Sequence, residues 1–133
     1  GFGYHGTMAI ASTVAHDSHH MIVVGTDRVM MAASANRLGA IGGGVTVWKD
    51  DCEIGVVELP IAGLMSDRPA VEVAAAAQTI LQAMQACGCS LNNAFMQHSL
   101  LALVVIPELR ISDLGLVDVT KFEITDLIEN SEK

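Results

Sequence analysis

Residues 12–27 read S-T-V-A-H-D-S-H-H-M-I-V-V-G-T-D and hold three of the chain's five histidines. Ahead of the cluster Met8, Ile10 and Val14 recur at even spacing, the pattern of a strand with one buried side, and residues 21–25 form a second apolar, β-branched run. Only residues 17–20 separate the two. They are therefore either hairpin partners or one bent strand with the histidines at its kink. Either way a polar cluster is carried on a rigid sheet, where side chains are aimed better than on a free loop.

Working outward, Gly25-Thr26-Asp27 ends the second strand, and Asp27 is placed to cap a helix over 28–41 whose inner face is Met31, Ala35, Leu38 and Gly42. Glycines 42–44 stop that helix. They follow a helix rather than open one, and no G-x-G-x-x-G or Lys-Ser/Thr accompanies them, which argues against a phosphate cradle. Residues 45–49 and 53–59 flank Asp50-Asp51-Cys52 as a hairpin with an acidic turn. The stretch P-I-A-G-L-M-S-D at 60–67 is too apolar for an exposed loop and too irregular for a strand. It is expected to pack inward with Ser66 and Asp67 facing outward to something specific.

Asp67 as cap and Pro69 in the first turn then open a helix with Val73, Ala77, Ile80, Met84 and Cys87 on its buried face, closed by Gly88. Residues 95–106 are a long, largely apolar run, and periodicity does not separate a buried helical turn followed by a strand from other readings there. Pro107 ends that run. Residues 111–116 read as a turn and 117–127 as a last strand anchored by Val119, Phe122 and Ile124. The predicted fold is α+β, a two-layer sandwich with a mostly antiparallel sheet and helices packed on it, as a single domain over 1–133.

Composition narrows the partners. The 133 residues are 51% hydrophobic and 17% charged, with a net charge of −8, so a phosphate backbone or anionic membrane is repelled. No nucleic acid and no membrane are expected; small molecules or protein are. Mean hydropathy is +0.45, yet the longest aliphatic run, 100–106, is far short of the roughly 18 residues a span needs. Residues 1–6 lack the basic and apolar regions of a signal peptide, and the chain opens mid-pattern, which suggests a domain of something longer. Cys52, Cys87 and Cys89 form no C-x-x-C pair, so neither a disulfide framework nor a zinc knuckle is indicated and a reducing cytoplasm is the default.

Histidine beside carboxylate invites a metal site. On an extended strand, however, His16, Ser18 and His20 point one way and Asp17 and His19 the other, so three ligands do not share a face without a sharp turn. No metal is expected to be held by this chain alone, and the histidines read as solvated turn residues or as substrate-facing groups. Ser18 and Ser66 lack a G-x-S-x-G turn, neither Cys87 nor Cys89 stands in a recognisable relation to a histidine, and the H-x-E with P-C-x-x-C of zinc nucleobase deaminases is missing.

Several blocks in order carry a family resemblance: A-S-T-V-A-H-D-S-H at 11–19, I-V-V-G-T at 22–26, N-R-L at 36–38, I-G-G-G at 41–44 and E-L-P-I-A-G-L-M-S-D at 58–67. F-M at 95–96, L-A-L and I-P-E-L within 101–109, and D-L-G-L-V-D-V at 113–119 continue it nearly to the end. The chain resembles the C-terminal domain of bacterial adenine deaminases, departing from it at His20, where the family usually has Asn, and at Val104, where it has proline.

The resemblance implies an amidohydrolase of purine salvage that converts adenine to hypoxanthine and ammonia by hydrolysis at the purine C6. It implies a (β/α)₈ barrel with a binuclear manganese or iron centre whose ligands lie in other sequence. The implied partners of this domain are that barrel and adenine, within a homo-oligomer. His16, Asp17 and His19 become candidates for a catalytic role beside the substrate, and Ser18, Ser66 and Asp67 for substrate binding. The competing reading is a structural or oligomerisation module, with H-D-S-H serving only a domain interface. A domain of a larger protein is also expected to expose apolar surface or self-associate, with 60–65 and 100–106 as candidate surfaces.

Overall fold

The computed structural model describes residues 1–15, 17 and 19–128. Strand β1 (Met8–Ser12) is buried along its whole length because both of its faces are covered. It pairs antiparallel with β2 (Ile22–Gly25) on one side and β3 (Gly44–Lys49) on the other, and β3 pairs with β4 (Cys52–Glu58). The first two runs are thus hairpin partners, with Ser12 opposite Ile22. The β3–β4 hairpin turns on Asp50 and Asp51 at φ 48° and 64°, the doubly left-handed turn whose twist matches that of the strands.

Helix α1 (Arg28–Ile41) has the bounds expected of it. The Asp27 carboxylate accepts from Met30 N at 2.9 Å, and Gly42, left-handed at φ 81°, ends the helix. Its buried face is Met30, Ser34 and Leu38, one residue round from the expected Met31 and Ala35. The reason is the surface it meets: Ala9 and Ala11 on β1 and Gly25 opposite Ala9 are all small, so the helix sits close. A Cβ on Gly25 would lie 2.7 Å from Met31 Cγ.

Helix α2 (Ala70–Ala86) covers the other face of the sheet, where Met8, Ile10, Val45, Val47 and Val57 meet Ile80, Ala83 and Met84. It starts later than the expected cap at Asp67. Pro69 stands at the N-cap with extended backbone and no side chain caps the first turn, because proline disfavours helical geometry in the residue before it. Val73 is only partly buried and Ala77 is exposed; Ala83 takes the inner position instead.

The apolar run after residue 94 resolves as helix α3 (Ala94–Ser99) followed by a 3₁₀ turn at Leu100–Ala102, with no strand in it. Three strands, β5 (Leu109–Ser112), β6 (Gly115–Asp118) and β7 (Glu123–Thr125), form a second antiparallel sheet, so the expected turn at 111–116 narrows to the link between β5 and β6, and the expected last strand over 117–127 is divided between the end of β6 and β7. The break falls at Asp118, whose carboxylate accepts from Thr120 N and Lys121 N and turns the chain back. Val119 is buried as expected, but Phe122 and Ile124 are exposed. The α+β class holds, with antiparallel sheets and helices packed on them. No helix among the described residues is long and apolar enough to cross a membrane.

Candidate functional site

Three loops leave one end of the four-stranded sheet, since Ser12 stands opposite both Ile22 and Val45, and Gly44 stands opposite Glu58. They are residues 13–21, the glycines at 42–43, and 59–67. Thr13 joins all three. Its N–H donates to Gly44 O at 2.9 Å, and Gly44 N–H donates back to Thr13 Oγ1 at 2.8 Å. Oγ1 lies 2.6 Å from Gly63 O and 3.2 Å from Gly44 O. A hydroxyl has one proton, so the shorter contact to Gly63 is the donation.

The receiving loop is built for that contact. Ala62 and Gly63 are both left-handed, at φ 57° and 72°, and Leu64 N–H closes the turn on Ile61 O at 3.1 Å. A Cβ at Gly63 would sit 3.0 Å from Thr13 Oγ1, and one at Gly43 would run into Gly63 Cα. Only bare backbone fits between the two loops. Leu59 N–H on Gly43 O at 3.0 Å completes the joint.

Beyond Thr13, Asp17 and His19 are exposed and left-handed, at φ 63° and 48°, and His19 N–H donates to Ala15 O at 2.7 Å. His16 and Ser18 lie outside the described residues. Beyond Gly63, Asp67 is exposed, while Ser66 is half-buried and its hydroxyl accepts from Arg68 N at 3.3 Å. Ser66 borders a cleft of about 400 Å³ with Glu58, Arg68, Glu72 and Val73. The fold therefore ties together the roots of the two loops that carry the candidates: Asp17 and His19 on one, Ser66 and Asp67 on the other.

A chain of ions braces this end. Arg37 bridges Glu53 at 2.9 Å and Glu58 at 3.4 Å, and Arg68 stands between Glu58 at 3.8 Å and Glu72 at 3.6 Å. These pairs are partly exposed, so each contributes about 0–1 kcal/mol and their effect is mainly orientation. Among the described residues no three His, Cys, Asp or Glu side chains are placed to hold a metal ion.

Sequence reasoning did not single out Thr13 as the joint between these loops, nor Glu58 and Arg68 beside Ser66. Thr13 was legible in principle: it is a hydroxyl at the end of a buried strand, ahead of a loop rich in polar groups. A second polar feature went unseen altogether. Tyr4 OH and His98 Nε2 are 2.8 Å apart, with the Phe2 ring 4.5 Å from the imidazole. Burial pushes His98 down to about 4 and raises the Tyr4 phenol, with Cys89 adding to the latter. Burial likewise raises the Cys87 thiol, against the opposing pull of Lys49. Both members of the Tyr4–His98 pair are neutral near pH 7.

A family model described as adenine deaminase C-terminal domain matches residues 1–123. The adenine deaminase of Paracoccus denitrificans (strain Pd 1222) is 77% identical over 128 residues, covering 96% of this chain and 21% of the relative. That of Ruegeria pomeroyi is 74% identical over 129 residues, covering 97% and 21%, and that of Moorella thermoacetica 48% over 128 residues, covering 96% and 21%. The chain thus spans about a fifth of the length of the curated relatives it matches. With its loops at 13–21 and 59–67 joined at one sheet end and the family match running through both, the chain belongs to the adenine deaminase C-terminal domain family.

Proposed function

We propose that this chain serves as one domain of an adenine deaminase, which hydrolyses adenine to hypoxanthine and ammonia in cytoplasmic purine salvage, and that its 13–21 and 60–67 loops border the substrate mouth. The observation that carries the reading is the Thr13–Gly63 hydrogen bond of 2.6 Å, which fixes the two candidate-bearing loops against each other. The left-handed backbone at Asp17 and His19 supports it, because strained conformations at non-glycine residues collect where side chains must be aimed.

The binuclear manganese or iron centre expected of such an enzyme is, in this reading, held by the barrel; the described residues bring no three ligands together, and no step here is derived through it. What this domain supplies is positioning and proton handling. In H-D-S-H a carboxylate lies between two imidazoles in sequence. Asp17 holds one of them in a chosen tautomer and leaves its other nitrogen to the purine ring or the departing ammonia.

The test uses His16→Asn, Asp17→Asn and His19→Asn in a full-length enzyme carrying this domain. Turnover is expected to fall by at least about tenfold and by up to about ten-thousand-fold, the upper end for a positioned acid or base, at unchanged metal content and melting temperature. Normal turnover in all three sinks the reading. The second reading, a structural or oligomerisation module, draws on the exposed apolar side chains of the β5–β7 sheet. It predicts lost stability or oligomer state with normal turnover in what remains folded.

A further inference from the structure

A cavity lies beside the Thr13–Gly63 joint. Val14 and Leu64, the residues that follow the two bonded positions, line a pocket of about 320 Å³ between the four-stranded sheet and α2. Its floor is core, for Val45, Val57 and Ile80 are all buried. Residues 93–95, at the start of α3, add the partly buried ring of Phe95 and the exposed amide of Asn93. The clefts beside Glu58 and Arg68 and beside Arg110 each carry charge, whereas no residue lining this one does.

Asn93 is the polar side chain of that lining, and the fold makes no use of it. Among the described residues its amide takes part in no hydrogen bond, and α3 starts without a side-chain cap. Its backbone is left-handed, at φ 56° and ψ 39°, a conformation that asparagine takes more readily than most residues. The amide therefore stands at the pocket with both its donor and its acceptor free. Such a pair matches a ligand edge that carries an acceptor beside a donor.

Volume, charge and wall chemistry select the occupant. Ligand pockets run from about 300 to 1,000 Å³, so this one is at the small end and suits a single flat ring system. An ion taken out of water needs a partner, and the uncharged lining supplies none, which rejects carboxylates, phosphates and with them nucleotides. Aliphatic walls and the Phe95 ring favour the faces of a planar heterocycle. A free purine base is flat and neutral, and adenine offers its exocyclic N–H beside N7, the pair that an asparagine amide meets with two bonds. We propose that this pocket is a binding site for a free purine base, with Asn93 on the edge of the base and Phe95 in the wall; the choice of a purine among flat neutral heterocycles rests on the reading of the chain as one domain of an adenine deaminase. No acid, base or metal ligand lines it. The site therefore holds the base beside the 13–21 and 60–67 loops and does no chemistry on it.

The test is equilibrium dialysis of adenine against the 133-residue chain, with benzimidazole and adenosine monophosphate as comparison probes. Benzimidazole has the shape of a purine without a donor and an acceptor side by side, and the nucleotide has the base with a charge. Both bicycles are expected to bind, and the nucleotide at least about tenfold more weakly than adenine. Asn93→Gly keeps the left-handed backbone at no steric cost and removes the amide. It is expected to weaken adenine at least about tenfold and to leave benzimidazole within about twofold. Ala77→Leu, which fills the pocket from an exposed position on α2, is expected to weaken both. The inference is overturned by failure of either bicycle to bind, by a nucleotide that binds as well as adenine, by a loss at Asn93→Gly that benzimidazole shares, or by adenine binding that either substitution leaves untouched. The functional reading fails separately. Normal turnover of the His16, Asp17 and His19 variants in a full-length enzyme sinks the substrate-mouth reading while adenine still binds this chain, and a chain that binds no adenine sinks the pocket while those turnover losses stand.

Discussion

His98 shows what burial does to a single titratable residue. The imidazole is enclosed by Phe2 and Tyr4, and its value is pushed from 6.5 down to about 4. Between those values the unfolded chain binds a proton that the folded chain does not, so stability rises with pH across that window. The contribution is complete above about pH 6.5 and is lost as pH falls towards 4, amounting to about 3 kcal/mol. Melting temperature is expected to drop on acidification through that range, and His98→Gln to flatten the drop; an unchanged slope in the variant counts against the assignment. Asp118 acts in a lower window. Its carboxyl is held below 3.8, chiefly by the Thr120 hydroxyl, so its contribution disappears only under more acid conditions.

The loops at the sheet end behave as one element because they share one hydroxyl. Thr13→Val keeps the shape and removes both the proton for Gly63 O and the acceptor for Gly44 N, so it is expected to destabilise the chain by about 1–3 kcal/mol, the cost of stranding buried polar groups. Gly43→Ala acts on the same joint from the other side, by driving a methyl into Gly63 Cα. Denaturant unfolding of each variant and of the pair measures the coupling. The double variant is expected to lose less than the sum of the two singles, and strict additivity would show the loops to be independent.

For the whole molecule the family resemblance puts the ligands of a binuclear centre in other sequence. The described residues bring no three metal-ligating side chains together. The 133-residue chain by itself, with manganese(II) or iron(II) added, is expected to show no adenine turnover above a metal-only blank. Ammonia release measured against that blank checks it, and release above it overturns the assignment of catalysis to the barrel. Exposed apolar side chains include Leu109, Ile111, Leu114, Phe122 and Ile124 in the second sheet, Ile61 and Met65 in the loop at 60–65, and Val104 and Val105 in the run at 100–106.

Local signals determined much of this protein. The Asp27 cap and Gly42 stop set α1 at both ends, Asp50-Asp51 set a hairpin, and even spacing set β1, because these depend on neighbours along the chain. Family blocks written in the same residues pointed to the enzyme. What the sequence left undecided were matters of contact between distant residues. The face α1 buries was decided by Ala9, Ala11 and Gly25, which let a helix approach closely, and hydrophobic spacing alone mistook it by one residue. The second sheet was hidden because its strands are short and its apolar residues face outward, contrary to the rule that apolar positions mark a buried side. Thr13 and Gly63 stand 50 positions apart, and only the folding of the sheet brings the hydroxyl of one to the carbonyl of the other.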